Sequence, residues 1–301
     1  MLLREVKTKL QKVFELRDMG SLHHCLGIQF SHVGGEITLS QENYIENLIN
    51  KFNMAECKPV STPMETGLKL EKGNGLTEME NIPYQMLIGS LMYLAVATRP
   101  EIMFAVSYLS QYNTCFDNTH WHAAKRVIRY LKGTKNVTIR YKQSGMALTG
   151  MADADWAACT VDRRSYTGYI FKYGGGLISY ASKKQRTVAL STAEAEYMAM
   201  TEATKEALHL KYLLEDIGVF QQTVTIYNDN LAAQMLVNNQ MTGKRSKHIS
   251  IKEHFIRDCV QKKLVTIRYK DTEHMEADLF TKAIPQPRLL KLLKMIGVTQ
   301  T

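Results

Sequence analysis

The sequence predicts an α+β protein in two parts: residues 1–142, mostly helical with one β-hairpin, and residues 143–301, a mixed β-sheet flanked by helices. Three observations lead there. Tyr44, Ile45, Leu48, Ile49 and Phe52 recur at helical spacing, and helical patterning resumes over 83–133. After Met146 the pattern shortens to three strands in succession. From Ser191 onward helix and strand alternate, and a run of strands followed by α-β-α-β-α gives a mixed sheet covered by helices.

Element by element, residues 1–53 read as helix, hairpin, helix. Apolar-rich runs at Leu22 to Phe30 and Glu36 to Ser40 flank Gly34-Gly35, a turn pair that tolerates positive φ. Met54 to Gly75, with Pro59, Pro63 and three glycines, reads as an irregular linker. Residues 83–133 form two or three helices broken near Arg99-Pro100 and around Asn113 to Asn118, and Leu87, Leu91, Leu94, Ile102, Phe104, Val106 and Leu109 let them pack together. The three strands are Ala147 to Ala152, Tyr166 to Tyr173 and Leu177 to Ala181, the last two joined through Gly174-Gly175-Gly176. A long helix from Ser191 to about Ile217 follows. Then come a strand at Val224 to Tyr227, helices near Leu231 to Asn238 and Ser250 to Lys262, a strand at Leu264 to Tyr269 and a last helical region.

That order brings four acids to one edge of the sheet. Asp153 ends the first strand in GMADADW, and Asp229 follows the fourth in TIYND. Glu196 shares a helical stripe with Ala199, Met200, Ala203, Ala207, Leu210 and Leu214 and so faces the sheet. Glu194 falls on nearly the opposite face and makes an S-x-x-E capping box with Ser191. Asp278, in EHMEADLF, comes from the final helical region. Any one strand-end aspartate is most often a turn or cap residue, and Asp155 could take the place of Asp153, since positions two apart share a strand face. The set of four points elsewhere. Clustered carboxylates repel one another and cost desolvation unless cations neutralise them, and all-oxygen ligands suit Mg2+ or Mn2+. Two such ions about 4 Å apart can stabilise the attacking and leaving oxygens of phosphodiester hydrolysis. On this reading Asp153 and Asp278 hold one ion, while Asp153, Glu196 and Asp229 hold the other.

The charge balance fits a polyanionic partner. Lys and Arg number 38 against 29 Asp and Glu, a net charge of +9. Between Thr119 and Ala152 there is no acid, and Lys125, Arg126, Arg129 and Lys132 are among seven cations; Lys125, Arg129 and Lys132 recur at helical spacing, either a stripe of phosphate contacts or a solvated face. A second cluster, Lys244, Arg245, Lys247 and His248, follows Asp229 in a loop. Five scattered cysteines with no C-x-x-C pair read as reduced thiols in a cytosolic or nuclear setting. No window holds about 18 uninterrupted apolar residues, and the charged start MLLREVKTKLQKVF lacks a signal core, so the chain is expected to be soluble and not secreted. His120 and His122 point apart on a helix, which speaks against zinc, and Trp156 reads as a core residue.

The segments GMADADWAACTVDRRSYTGYIF, ALSTAEAEYMAMTEATKEALHL, IYNDNLAA, RSKHISIKEHFIRD and DLFTK resemble, in order, the RNase H region of copia-type retrotransposon Pol polyproteins. Upstream, FELRDMGSLHHCLGIQF, CKPVSTPM, IGSLMYLAVATRPEIMFAVSYLSQYN and HAAKRVIRYLKGT resemble the segment that follows the reverse transcriptase palm. The resemblance implies an RNase H-like domain over 143–301, behind a region over 1–142 like the palm end, thumb and connection. It implies cleavage of the RNA strand of RNA–DNA hybrids, leaving a 5′ phosphate, with Asp153, Glu196, Asp229 and Asp278 as catalytic, metal-binding acids and two Mg2+ or Mn2+ ions. It also implies a virus-like particle in the cytoplasm, or the nucleus, as the setting, and the upstream polymerase portion as a partner. His274 is the nearest candidate for the mobile histidine of many such enzymes, and His248 is either a hybrid contact or a core residue. The family's Y-x-D-D pair is missing from residues 1–60, so nucleotide addition is not expected of this chain alone. The competing readings are a nucleic-acid-binding module that keeps the fold without catalysis, and a connection subunit for another polymerase chain.

Overall fold

The computed structural model describes residues 2–73, 82–142, 144–157, 159, 161–238 and 250–300. The N-terminal helix α1 (Leu2–Gln11) is followed by β1 (His24–Cys25), β2 (Ile28–Val33), β3 (Glu36–Ser40) and α2 (Glu42–Lys51). The expected strand Leu22 to Phe30 is two strands, because Leu26 and Gly27 adopt positive φ and fold β1 back on β2. Ile45, Leu48 and Ile49 of α2 are buried, as their spacing requires.

The helices of 83–133 break where proline and the polar run stop them. They are α3 (Tyr84–Ala97), a 3₁₀ turn at Pro100–Ile102, α4 (Met103–Ser110) and α5 (Asn118–Gly133). Asp117 caps α5, accepting from the backbone N–H groups of Thr119 and His120. Arg99 and Glu101 form an ion pair of 2.6 Å with neither side chain exposed, and Arg99 also donates to Thr134.

The expected linker Met54 to Gly75 is, over its described residues, not loose. Its described part, 54–73, has no helix or strand, yet it is a fixed strap: Met64 and Leu70 are buried, and the hydroxyls of Tyr108 and Tyr112 bond the N–H and carbonyl of Leu70. An irregular chain is stable there because side chains from α4, from Tyr112 just beyond it and from α5 satisfy its backbone groups.

β4 (Val137–Lys142) is a strand that the sequence reading did not separate from its basic surroundings. It pairs with β3, where Glu36 lies 3.4 Å from Arg140 and 3.5 Å from Lys142. The second sheet opens with β5 (Thr149–Asp155), β6 (Tyr166–Tyr173) and β7 (Gly176–Lys184), and Gly174 and Gly175, both at positive φ, close the tight turn between the last two. Then come α6 (Thr192–Asp216), β8 (Val224–Asn228), α7 (Leu231–Asn238), α8 (Ser250–Gln261) and β9 (Val265–Tyr269). The order across the sheet is β7-β6-β5-β8-β9, antiparallel through β5 to β7 and parallel from β5 through β8 to β9. This is the mixed, helix-covered sheet that the element order implied.

The expected final helix is divided. 3₁₀ turns at Thr272–His274 and Glu276–Phe280 precede α9 (Gln286–Met295), since Pro285 and Pro287 permit a helix to begin but not to pass through. The chain ends in β10 (Val298–Gln300), which pairs antiparallel with β4, so the first sheet runs β1-β2-β3-β4-β10. One core lies between α6 to α8 and the second sheet; the other joins α2 to α5 to the opposite face of that sheet and to residues 275–298. Among the described residues no helix is long and apolar enough to cross a membrane.

Candidate active site

Small residues set the spacing of the site. Ala152 and Ala154 of β5 belong to the same buried core as Ala195, Ala199 and Ala203 of α6, so strand and helix approach closely with little side chain between them. Ser191 caps α6 by accepting from the Glu194 N–H at 3.2 Å, and Glu194 accepts from the Leu190 N–H at 2.8 Å, which fixes the helix start just ahead of Glu196.

Asp153, Glu196 and Asp229 meet. They offer carboxylate oxygens that all lie within 4.8 Å of one another, the first two buried and Asp229 half-buried. Asn228, fully buried at the end of β8, donates to Glu196 Oε2 at 2.8 Å and to the Ala152 carbonyl at 3.0 Å, tying helix to strand. Thr272 donates to Asp229 Oδ2 at 2.6 Å, and Thr281 donates to Asp153 Oδ2.

Asp278 lies beside Asp153 but in different company. Its side chain has no exposure, Lys282 Nζ is 2.7 Å from its Oδ1, and Arg288 binds its Oδ2. The same Lys282 Nζ is 3.8 Å from Asp153 Oδ2. Asn228, Thr281, Lys282 and Arg288 were not singled out from sequence. Thr281 and Lys282 stand inside the DLFTK motif, which was the available signal.

The electrostatics follow from crowding. Burial, and after it the charge of Asp153, pushes the Glu196 carboxyl up to about 9, against the Asn228 hydrogen bond. Burial and then Asp153 likewise raise Asp278, with Lys282 opposing. Burial raises Asp155, where Lys282 opposes and Asp153 adds. Burial works against the Lys282 ammonium, but the carboxylates of Asp153 and Asp278 outweigh it and hold its affinity for a proton above the usual value. Glu196, Asp278 and Asp155, each pushed toward protonation in the bare fold, are groups that a nearby positive charge would relieve. The donors are oxygens only, which fits Mg2+ or Mn2+ and not a soft metal.

Gly168 of β6, the register partner of Asp153, keeps the fourth acid in place. A methyl there would stand 2.8 Å from Phe280 Cβ and from Thr281 Cγ2, and 2.9 Å from the Ala277 carbonyl oxygen. Gly168→Ala is expected to push the Glu276–Phe280 turn off the sheet, costing about 1–3 kcal/mol of stability. If the site is catalytic, the same change lowers turnover by roughly tenfold to a hundredfold, and a melt alongside a cleavage assay checks both.

Of the predicted cations on α5, three brace the strap. Arg126 pairs with Glu65 at 2.9 Å, Arg129 donates to the Lys58 carbonyl at 2.7 Å, and Lys132 donates to the Ala55 and Cys57 carbonyls. Lys125 lies over Trp121, 5.5 Å from its ring centre. Lys244, Arg245, Lys247 and His248 fall outside the described residues. His274 pairs with Asp271 at 2.6 Å on the surface. Trp156 is not a core residue: it is 46% exposed, and its indole N–H donates to the Ala189 carbonyl ahead of α6. It sits at the turn that ends β5, where a large ring has only one side to pack against.

A mixed sheet of this order, with acids from its first strand, its first helix and the end of its fourth strand at one edge, defines an RNase H-like domain. The reverse transcriptase (RNA-dependent DNA polymerase) family model matches residues 1–66. Over 99% of its length the chain is 38% identical to the retrovirus-related Pol polyprotein from transposon TNT 1-94 of Nicotiana tabacum and 37% identical to that from transposon RE2 of Arabidopsis thaliana. It spans 23% and 20% of those polyproteins. Among solved structures, RNase H1 from Halobacterium salinarum is similar at 14% identity and a TM-score of 0.34, over 45% of this chain and 95% of that one. The chain belongs to the Pol polyproteins of copia-type retrotransposons, in their reverse transcriptase and RNase H region.

Proposed function

We propose that this chain hydrolyses the RNA strand of RNA–DNA hybrids with the help of divalent metal ions, as the RNase H part of a retrotransposon's reverse transcription machinery. The observation that carries this reading is the meeting of Asp153, Glu196 and Asp229 within 4.8 Å, two of them buried. Such a cluster is costly unless a cation shares it. Asp153, Glu196 and Asp229 would hold one Mg2+ or Mn2+, whereas the second ion expected from sequence, between Asp153 and Asp278, meets Lys282 and Arg288 there. A divalent ion held by this cluster would help activate a water and stabilise the leaving oxygen.

The chain's own groups do the positioning. Asn228 fixes the rotamer of Glu196, Thr272 that of Asp229 and Thr281 that of Asp153, so the cluster is oriented before any ion or substrate arrives. The hybrid would be read through its 2′-hydroxyls and groove width, and its phosphates would meet the positive field of Lys125, Arg126, Arg129 and Lys132 on α5 and of Lys244, Arg245, Lys247 and His248. Residues 1–142 would serve as the palm-end, thumb and connection part that holds the hybrid, with 143–301 as the nuclease.

The test is direct. The purified chain, given a labelled RNA–DNA hybrid and Mg2+, is expected to cut the RNA strand to 5′-phosphate products, to spare duplex DNA and to stop in EDTA. A hybrid that is bound but left intact in Mg2+ and in Mn2+ sinks the enzyme reading in favour of a binding module.

A further inference from the structure

We propose that Lys282 supplies one of the two positive charges at this centre, so that the site takes a single divalent ion, in the Asp153–Glu196–Asp229 cluster. The proposal rests on the hydrolytic reading above and concerns how that site is neutralised.

The fold treats the two expected carboxylate sets differently. The partners of the first are mostly neutral: the Asn228 amide on Glu196, the Thr272 hydroxyl on Asp229 and the Thr281 hydroxyl on Asp153. Its only close cation among the described residues is Lys282, 3.8 Å from Asp153. The second set is already compensated. Lys282 Nζ bridges Asp278 Oδ1, at 2.7 Å, and Asp153 Oδ2, while Arg288 occupies Asp278 Oδ2. Arg288 holds Oδ2 and Lys282 stands against Oδ1 as an ion pair without hydrogen-bond geometry, so an ion placed between Asp153 and Asp278 would have to displace an ammonium and sit beside a guanidinium.

Lys282 is also held where it stands. It lies one helical turn beyond Asp278, and the preceding 3₁₀ turn is pressed against Gly168. Asp155, two residues along β5 from Asp153 and on the same strand face, adds a third acid to its surroundings. Its side chain keeps 38% exposure, so the ammonium is within reach of a phosphate from outside. A lysine serves this purpose as a compact point charge on a long stem.

Counting ions tests it. Mn2+ binding is measured by calorimetry and by electron paramagnetic resonance on the whole chain, bound to a 2′-fluoro RNA–DNA hybrid that resists cleavage. One Mn2+ per wild-type chain is expected, with the spectrum of an isolated ion, and the same for Lys282→Arg. Lys282→Met, shown by circular dichroism to be folded, is expected to take two and to give the spectrum of a coupled pair. On a cleavable hybrid at low Mn2+, Lys282→Met should lose about a hundredfold in rate, and its dependence on Mn2+ should steepen from first to second order. Two ions on the wild-type chain overturn the assignment and leave hydrolysis standing, as does a Lys282→Met chain that stays at one. If no folded variant takes up Mn2+, the hydrolytic reading falls with it.

Discussion

Asp153→Asn is expected to reduce hybrid cleavage by a factor on the order of 10³ or more while leaving the fold intact. Asp153 is the one acid common to both carboxylate sets: it joins Glu196 and Asp229 on one side and faces Lys282 and Asp278 on the other. An asparagine keeps the shape and still accepts from the Thr281 hydroxyl, but it removes the charge that draws a cation to the cluster. Because that charge also raises its neighbours, its removal relieves repulsion in the bare protein, so the melting temperature in EDTA should hold or rise. Loss of activity with unchanged or improved stability separates a functional acid from a structural one. Asp155→Asn is the control. Asp155 does not belong to the cluster within 4.8 Å, and its replacement should cost less than about tenfold, whereas a metal ligand would lose far more. Single-turnover cleavage on a gel, with melts of the same samples, measures both. Near-wild-type cleavage by Asp153→Asn would show that the chemistry lies elsewhere.

What was legible in the sequence is what short-range periodicity encodes. The stripe from Glu196 to Leu214 states which face of α6 meets the sheet, and that face is buried. Asp229 follows β8 as expected, whereas Asp153, expected at a strand end, lies within β5, which runs on to Asp155; the topology did the rest in bringing these two together with Glu196. Non-local pairing was not legible. β10 finds β4 about 160 residues upstream, and a three-residue strand carries no signal of its partner. Arg126, Arg129 and Lys132 illustrate the same limit, because their spacing gives a basic stripe but not the strap groups that they bond, the Thr62 hydroxyl and Glu65 carboxylate for Arg126 and backbone carbonyls for the other two. The cations on Asp278 escaped for a related reason. Arg288 comes from a helix beyond Pro285, and nothing in its neighbourhood marks it as the partner of an acid ten residues back.

In EDTA the chain should lose stability as pH rises, and Glu196→Gln should remove most of that loss. The ordinary glutamate value is 4.5, and burial followed by the charge of Asp153 lifts it to about 9 in the fold. Below about pH 4.5 the folded and unfolded chains both hold this proton, so the group contributes no slope. Between the two values only the folded chain holds it. The folded state then binds more protons than the unfolded one, and stability falls with each increment of pH until about 9, above which the penalty is constant. Other carboxylates titrate as well, but a comparison of the wild-type chain with Glu196→Gln cancels them. The amide still accepts from Asn228 and carries no ionisable proton. Melts at pH 5.5 and pH 8.5 in EDTA should therefore show a wild-type decline exceeding that of the variant by roughly 5 °C. Mn2+ should restore the wild-type chain at the higher pH, because a bound cation supplies the charge that the lost proton leaves uncompensated, and an ion that binds only the folded state stabilises it by mass action. Glu196→Gln should gain much less from Mn2+. Parallel declines in EDTA, or equal gains from Mn2+, would mean that Glu196 neither stores the proton nor shares the ion, and the cluster would then be a polar core without chemistry.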